Sequence, residues 1–274
     1  MTTQSSSQLD LTAIKARQRQ TWASGDYALL GQTLTVMCEN LCEAVDLHAG
    51  QEVLDVATGS GNTAIAAARR WCEVTGIDYV PALLERARER AAAERLPITF
   101  LEADAEQLPF PDASFDVVLS SVGVMFAPNQ EQAARELLRV CRSGGKVGLV
   151  NWTPTGLFGH IARTIAAYVP PPAGLKPPAL WGTEERVREL FGEGITSLQA
   201  TKRNFMYRYR SVQHWMDLFG AYFGPIVTAL RALDPTGQER FTHDLVAGLE
   251  QANQASDGTL VAPMEYLEVI AVRR

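Results

Sequence analysis

The chain is 274 residues long, with 46% hydrophobic and 20% charged residues and a formal net charge of −6. That length holds one α/β domain with insertions or two smaller domains, and the composition excludes disordered and fibrous classes. The acidic balance disfavours a nucleic-acid backbone or an anionic membrane as partner.

The polar start Met1-Thr2-Thr3-Gln4-Ser5-Ser6-Ser7 lacks the cationic and apolar parts of a signal peptide, and no apolar run reaches spanning length. A cytoplasmic protein without integral membrane contact is expected. Cys38, Cys42, Cys72 and Cys141 are too scattered for a disulfide framework and read as buried small hydrophobes. The four histidines, at 48, 160, 214 and 243, show no metal-ligand spacing, so no metal is expected.

The chain opens with a helical pattern over 8–22 and a break at Trp22-Ala23-Ser24-Gly25-Asp26-Tyr27, followed by a second amphipathic helix over about 29–45. From Gln51 onward strands and helices alternate. A strand to Ala57 leads to a helix over 62–70, a strand over 72–78, and a helix from Pro81 to about Arg95. Strands over 98–102 and 115–120, a helix over 130–141, a turn at 143–145 and a strand over 146–152 complete the βαβ repetition of a parallel, doubly wound sheet. Beyond Trp152 a short helix at 157–168 meets a proline-rich extended stretch, 170–178, and a helix at 184–191. Phe205, Tyr207 and Tyr209 alternate as in a half-buried strand. Helices over 211–223, 225–233 and 236–255 and a strand over 266–272 close the pattern.

The chemistry centres on Glu52-Val53-Leu54-Asp55-Val56-Ala57-Thr58-Gly59-Ser60-Gly61-Asn62, a strand running into a glycine loop that opens a helix. Such a loop brings backbone close to a ligand, and the helix start offers free N–H groups. The G-x-G-x-x-A spacing also fits a nicotinamide-dinucleotide fingerprint. Asp55 argues against that reading, because a pyrophosphate gains nothing from a buried anion. A carboxylate there suits a ligand with positive charge and hydrogen-bond donors, and it equally suits bracing of the loop. Asp78 ends the second strand, 17 residues beyond Gly61, where doubly wound folds place an acid on the ribose hydroxyls. The same residue could serve as a plain helix cap.

Four separated stretches carry a resemblance. They are Val53–Gly61 with its loop; Val74-Thr75-Gly76-Ile77-Asp78; Ala103-Asp104-Ala105-Glu106-Gln107-Leu108-Pro109-Phe110 followed by Ser114-Phe115-Asp116; and the run from Glu136 to Gly145. In this order the sequence resembles the class I S-adenosylmethionine-dependent methyltransferases, in particular the branch similar to the ubiquinone/menaquinone C-methylases. The resemblance implies a Rossmann-like, doubly wound seven-stranded sheet in order 3-2-1-4-5-7-6 with the last strand antiparallel, and a helical cap. It divides one structural domain into a cap over the cofactor (1–48), a cofactor-binding core (49–152), and the rest of the sheet with inserted substrate-cap helices (153–274).

The cofactor so implied is S-adenosylmethionine, bound by the loop residues Ala57, Thr58, Gly59 and Gly61 together with Asp55 and Asp78. By position Asp104 would accept from the adenine amino group, with the Ala105 backbone against the ring and Tyr79 over its face. Tyr27 would reach the methionine part, Trp22 would shield the sulfonium, and Ser121, with Ser120, would lie near the methionyl group. Tyr79 and the Trp22/Tyr27 pair could instead be packing, and Asp104 a turn cap.

Methyl transfer is an in-line displacement that needs alignment and exclusion of water, and no residue announces itself as a general base. His160 and His214 are candidates for that role, and ordinary satisfied histidines are the plainer reading. Segments 122–127, 151–181 and 205–223 are rich in Met, Phe, Trp and Tyr, which suits a lidded pocket for a small organic acceptor. A nicotinamide oxidoreductase and a non-catalytic module that binds S-adenosylmethionine stand as the alternatives. As partners the sequence predicts a small-molecule methyl acceptor, no nucleic acid, and a monomer or homodimer.

Overall fold

A computed structural model describes residues 9–274; the polar start 1–7 and the first residue of the helix expected over 8–22 lie outside the described residues. The chain begins with α1 (Leu11–Ala23), α2 (Tyr27–Gly31) and α3 (Thr35–Ala44). The single helix predicted over 29–45 is broken between α2 and α3 by a 3-10 turn, Gln32–Leu34. Its cause lies across the fold, where the Asn62 side-chain amide donates to the Gly31 carbonyl at 2.7 Å and draws it out of the helical ladder.

The core alternates as the sequence predicts. β1 (Glu52–Val56) leads through the glycine loop to α4 (Asn62–Ala68), β2 (Glu73–Asp78), α5 (Pro81–Ala93) and β3 (Ile98–Glu102). β4 (Phe115–Ser121), α6 (Gln130–Val140) and β5 (Cys141–Trp152) follow. The residues expected as a turn at 143–145 form a bulge inside β5: two steps along β4, Phe115 to Val117, oppose five along β5, Cys141 to Lys146. After β5 come α7 (Leu157–Tyr168), α8 (Glu184–Phe191), β6 (Ile195–Tyr209), α9 (Val212–Tyr222), α10 (Gly224–Ala232), α11 (Pro235–Ala252) and β7 (Leu260–Arg273).

The sheet order is β3-β2-β1-β4-β5-β7-β6, with β7 antiparallel to both neighbours, as the resemblance implied. α4 is almost entirely buried, and its alanines let it lie close to the sheet, while α3 covers the other end through Leu41 and Val45 against Gly148. β7 is longer than the predicted 266–272. Its early part, 260–265, pairs only with β6, so Pro263, which lacks an N–H, sits where no second strand asks for one. α11 stops short of the expected residue 255 because Asn253 leaves the helix to bond Thr259 and Val261 at the start of β7. Among the described residues no helix is long and apolar enough to cross a membrane.

Candidate active site

A deep cavity opens at the carboxyl ends of β1, β2 and β4, where doubly wound sheets bind their ligands. Its floor is the loop after β1. Gly59 stands at φ +54° with open space where a Cβ would project, a cradle free for a ligand, and Gly61 caps α4 from the left-handed region at φ +86°. Ala57 also adopts φ +54°, a strained setting for a residue with a Cβ. Gly123, on the loop after β4, makes room for it, since a Cβ there would come within 2.9 Å of the Ala57 methyl.

Asp55 is 1% exposed and lies behind the loop, off the cavity wall. One oxygen accepts from the Thr58 hydroxyl at 2.5 Å and the Ala64 N–H at 3.0 Å, fastening the loop to the first turn of α4. The other oxygen has no partner among the described residues. Burial pushes the Asp55 carboxyl up to about 7 in spite of those two bonds. The structure therefore shows the loop-bracing role of Asp55 directly.

Asp78 borders the cavity and is 5% exposed. It accepts from the Gly59 N–H at 3.0 Å and from the Val80 N–H at 2.9 Å, so it joins the glycine loop to the start of α5. Burial raises its carboxyl to about 6. Tyr79, Asp104 and Ala105 line the same wall, and so does Ser121, whose buried hydroxyl has no partner among the described residues. Ser120 points away from the cavity and staples β4 to β1 through the Val56 carbonyl at 2.7 Å.

The Asp104 carboxylate is already engaged by a residue the sequence reading did not single out. Lys15 of α1 reaches Asp104 and Glu106, each at 2.6 Å. Burial pulls the Lys15 pKa down, and the two carboxylates more than offset this and hold it above the usual lysine value. Gln18 donates to the Phe126 carbonyl at 3.1 Å, Arg19 pairs with Glu102, and the Trp22 ring packs edge-on to Phe126 with centroids 4.7 Å apart. Residues 15, 18, 19 and 22 share one helical face, and that 3–4 spacing was the available signal. Tyr27 lines the cavity, but its hydroxyl is occupied, accepting from the Gly224 N–H at 3.0 Å. The start of α2 is tied to the glycine loop by Ser60, whose hydroxyl donates to the Tyr27 carbonyl at 3.1 Å.

Beyond the loop the wall turns apolar. Phe126, Trp152 and Phe158 meet Tyr207, Trp215, Phe219 and Phe223 there, drawing on all three aromatic-rich segments. Trp215 and Phe219 stack with centroids 4.1 Å apart. His160 lies elsewhere, in a shallow groove beside Arg163 and Glu265, and His214 accepts from the Arg210 N–H at 3.3 Å at the start of α9. Neither borders the cavity. Among the described residues no cluster of His, Cys, Asp and Glu is arranged to hold a metal ion.

This sheet order, the reversed β7, the glycine loop after β1 and acids at the ends of β2 and beyond β3 define the methyltransferase variant of the doubly wound fold. Residues 54–149 match the family model described as "Methyltransferase domain". The chain is 39% identical over 265 residues to the "Uncharacterized protein Rv1405c" of Mycobacterium tuberculosis, covering 95% of this chain and 96% of that protein. It is 41% identical over 131 residues to a demethylmenaquinone methyltransferase of Deinococcus radiodurans, 46% of this chain and 54% of that enzyme. In three dimensions it resembles the YcgJ protein of Bacillus subtilis, with TM-score 0.61, 21% identity, and 89% and 99% of the two chains covered. The chain belongs to the class I S-adenosylmethionine-dependent methyltransferases, in the branch that includes the menaquinone C-methylases.

Proposed function

We propose that this enzyme transfers a methyl group from S-adenosylmethionine to a small, apolar or aromatic acceptor held under the cap formed by residues up to 48 and the helices inserted after residue 153. One observation carries this reading: a single cavity joins a polar wall of nucleoside-binding character, with Gly59, Asp78 and Asp104, to an aromatic chamber. The residues present fit the cofactor. Gly59 leaves space for it, Asp78 offers a carboxylate at ribose position, and Ser121 presents an unengaged hydroxyl.

When bound, the cofactor supplies an electrophilic methyl carbon on a sulfonium. The chain's own task is placement. Asp78 accepts from the ribose hydroxyls, Asp104 from the adenine amino group, and the Ala105 backbone and Tyr79 flank the ring, while Ala57, Thr58 and Gly61 hold the loop in shape. Trp22 and Tyr27 close the cavity above, and the aromatic walls keep water from competing with the acceptor. Calorimetry tests the assignment. S-adenosylhomocysteine should bind and NAD(P) should not; the opposite result would replace this reading with a nicotinamide enzyme. Cofactor turnover with some member of a broad panel of apolar acceptors separates an enzyme from a binding module.

A further inference from the structure

The charged side chains on the cavity wall, Lys15, Asp78 and Asp104, all stand at the nucleoside end. The chamber beyond has none among the described residues. A charged acceptor would be desolvated there without a counter-charge, and a cationic one would also face the sulfonium. Polar groups in this chamber are few, and some are already engaged. The Tyr27 hydroxyl is anchored at the chamber's edge by accepting from the Gly224 N–H, and the Thr33 hydroxyl has spent its proton on the Leu30 carbonyl at 2.8 Å.

Two donors on this wall lack a partner among the described residues: the indole N–H of Trp215, which is fully buried, and the phenol of Tyr207. Tyr207 borders the cavity at 5% exposure, and its hydroxyl makes no hydrogen bond to any described residue. Buried phenols usually have a partner, and a missing one is destabilising. The ring is held in place by Phe219 and Tyr209, with centroids 5.8 and 5.4 Å away, and by pairing of its backbone with Ala262 of β7. Burial keeps the phenol pKa well above its ordinary value, so the group is a fixed donor and not a base.

We infer that the Tyr207 hydroxyl donates a hydrogen bond to a carbonyl or ether oxygen of an uncharged, otherwise apolar acceptor, which makes Tyr207 a residue that sets acceptor specificity. This rests on the methyltransferase reading above. The test uses two probes of matched shape, acetophenone and isopropylbenzene, titrated into protein saturated with S-adenosylhomocysteine and followed by ligand-observed NMR. In Tyr207→Phe the ketone should weaken by about fivefold, the scale of one neutral hydrogen bond, with isopropylbenzene unchanged. Phe219→Leu, which alters the wall and leaves the hydroxyl, should weaken both probes alike. Equal behaviour of the two probes in Tyr207→Phe, or no binding of either to the wild type, would overturn the inference. Failure of the wild type to bind S-adenosylhomocysteine would instead strike the methyltransferase reading, so the two failures are distinct.

Discussion

The two halves of the cavity are built by different rules. The half proposed to take the nucleoside comes from the ends of adjacent parallel strands and one short loop, and its key atoms are backbone amides and two carboxylates fixed by backbone bonds. The half proposed to take the acceptor draws one or two side chains each from the loop after β4, β5, α7, β6, α9 and the α9–α10 junction, and it is held by aromatic packing. Local geometry dictates the first half. Only the tertiary fold assembles the second.

Removing a wall of the acceptor half should therefore cost stability above all. Trp215→Ala deletes a fully buried ring stacked on Phe219 and is expected to lower unfolding free energy by about 3–5 kcal/mol. Urea denaturation reads this, and a loss below about 1 kcal/mol would show the chamber to be an adaptable rather than a packed wall. On the other side, Asp78→Ala should weaken S-adenosylhomocysteine by about 1.5–3 kcal/mol, the worth of a hydrogen bond to a charged group. Calorimetry showing unchanged affinity would mean that the ribose is held elsewhere.

A pH titration sharpens the contrast, because the titrating carboxylates belong to the nucleoside half. With Asp78 raised to about 6, its ionised form is lost as pH falls below that value, and cofactor affinity should drop by up to about tenfold per pH unit. Ligand-free stability moves the other way. Asp55 and Asp78 have folded-state values above an unfolded one of about 4, so the folded protein binds more protons between pH 4 and 7. Their contribution to stability is largest near the acid end of that window and shrinks as pH rises through it. Asp55→Asn should flatten the slope in pH-dependent thermal melts, and an unchanged slope would assign it to other groups.

The smallest effect is expected at the rim. Lys15→Gln removes a part-buried ion pair that solvent screens in part, so equilibrium affinity should change by only about 1 kcal/mol or less. Because Lys15 anchors α1 across the mouth, ligand release should accelerate a few-fold in stopped flow. Wild-type release should also quicken with added salt, and the variant should respond less. Identical salt dependence in the two proteins would show that α1 does not hold the mouth closed through this pair.

The same division explains what was legible in the sequence. The sheet order and the places of Gly59, Asp78, Asp104 and Ala105 on the cavity follow from short-range patterns, a strand, a turn and a helix start in succession. Asp55 was legible as chemistry, but whether it met a ligand or the loop depended on three-dimensional distances to Thr58 and Ala64. The break between α2 and α3 was hidden because its cause, Asn62, lies 31 residues from Gly31. Lys15 drew no notice in the sequence, because its partners Asp104 and Glu106 are about ninety positions away. The chamber's aromatics were visible as segments. Which of them meet, and that the Tyr207 hydroxyl borders the cavity without a partner while the Tyr27 hydroxyl is anchored by Gly224, required the fold.

The paired strands β6 and β7 run past the end of β5, and their last rungs join Tyr209 to Leu260. Everything between, residues 210–259, leaves and re-enters the chain at two neighbouring points. Such a segment can be exchanged or lengthened with little loop-closure cost to the rest of the molecule. Since Trp215, Phe219 and Phe223 all lie within it, one side of the aromatic chamber is a replaceable cassette, while Phe126, Trp152, Phe158 and Tyr207 stay outside it. A change of acceptor would then need no redesign of the loop after β1.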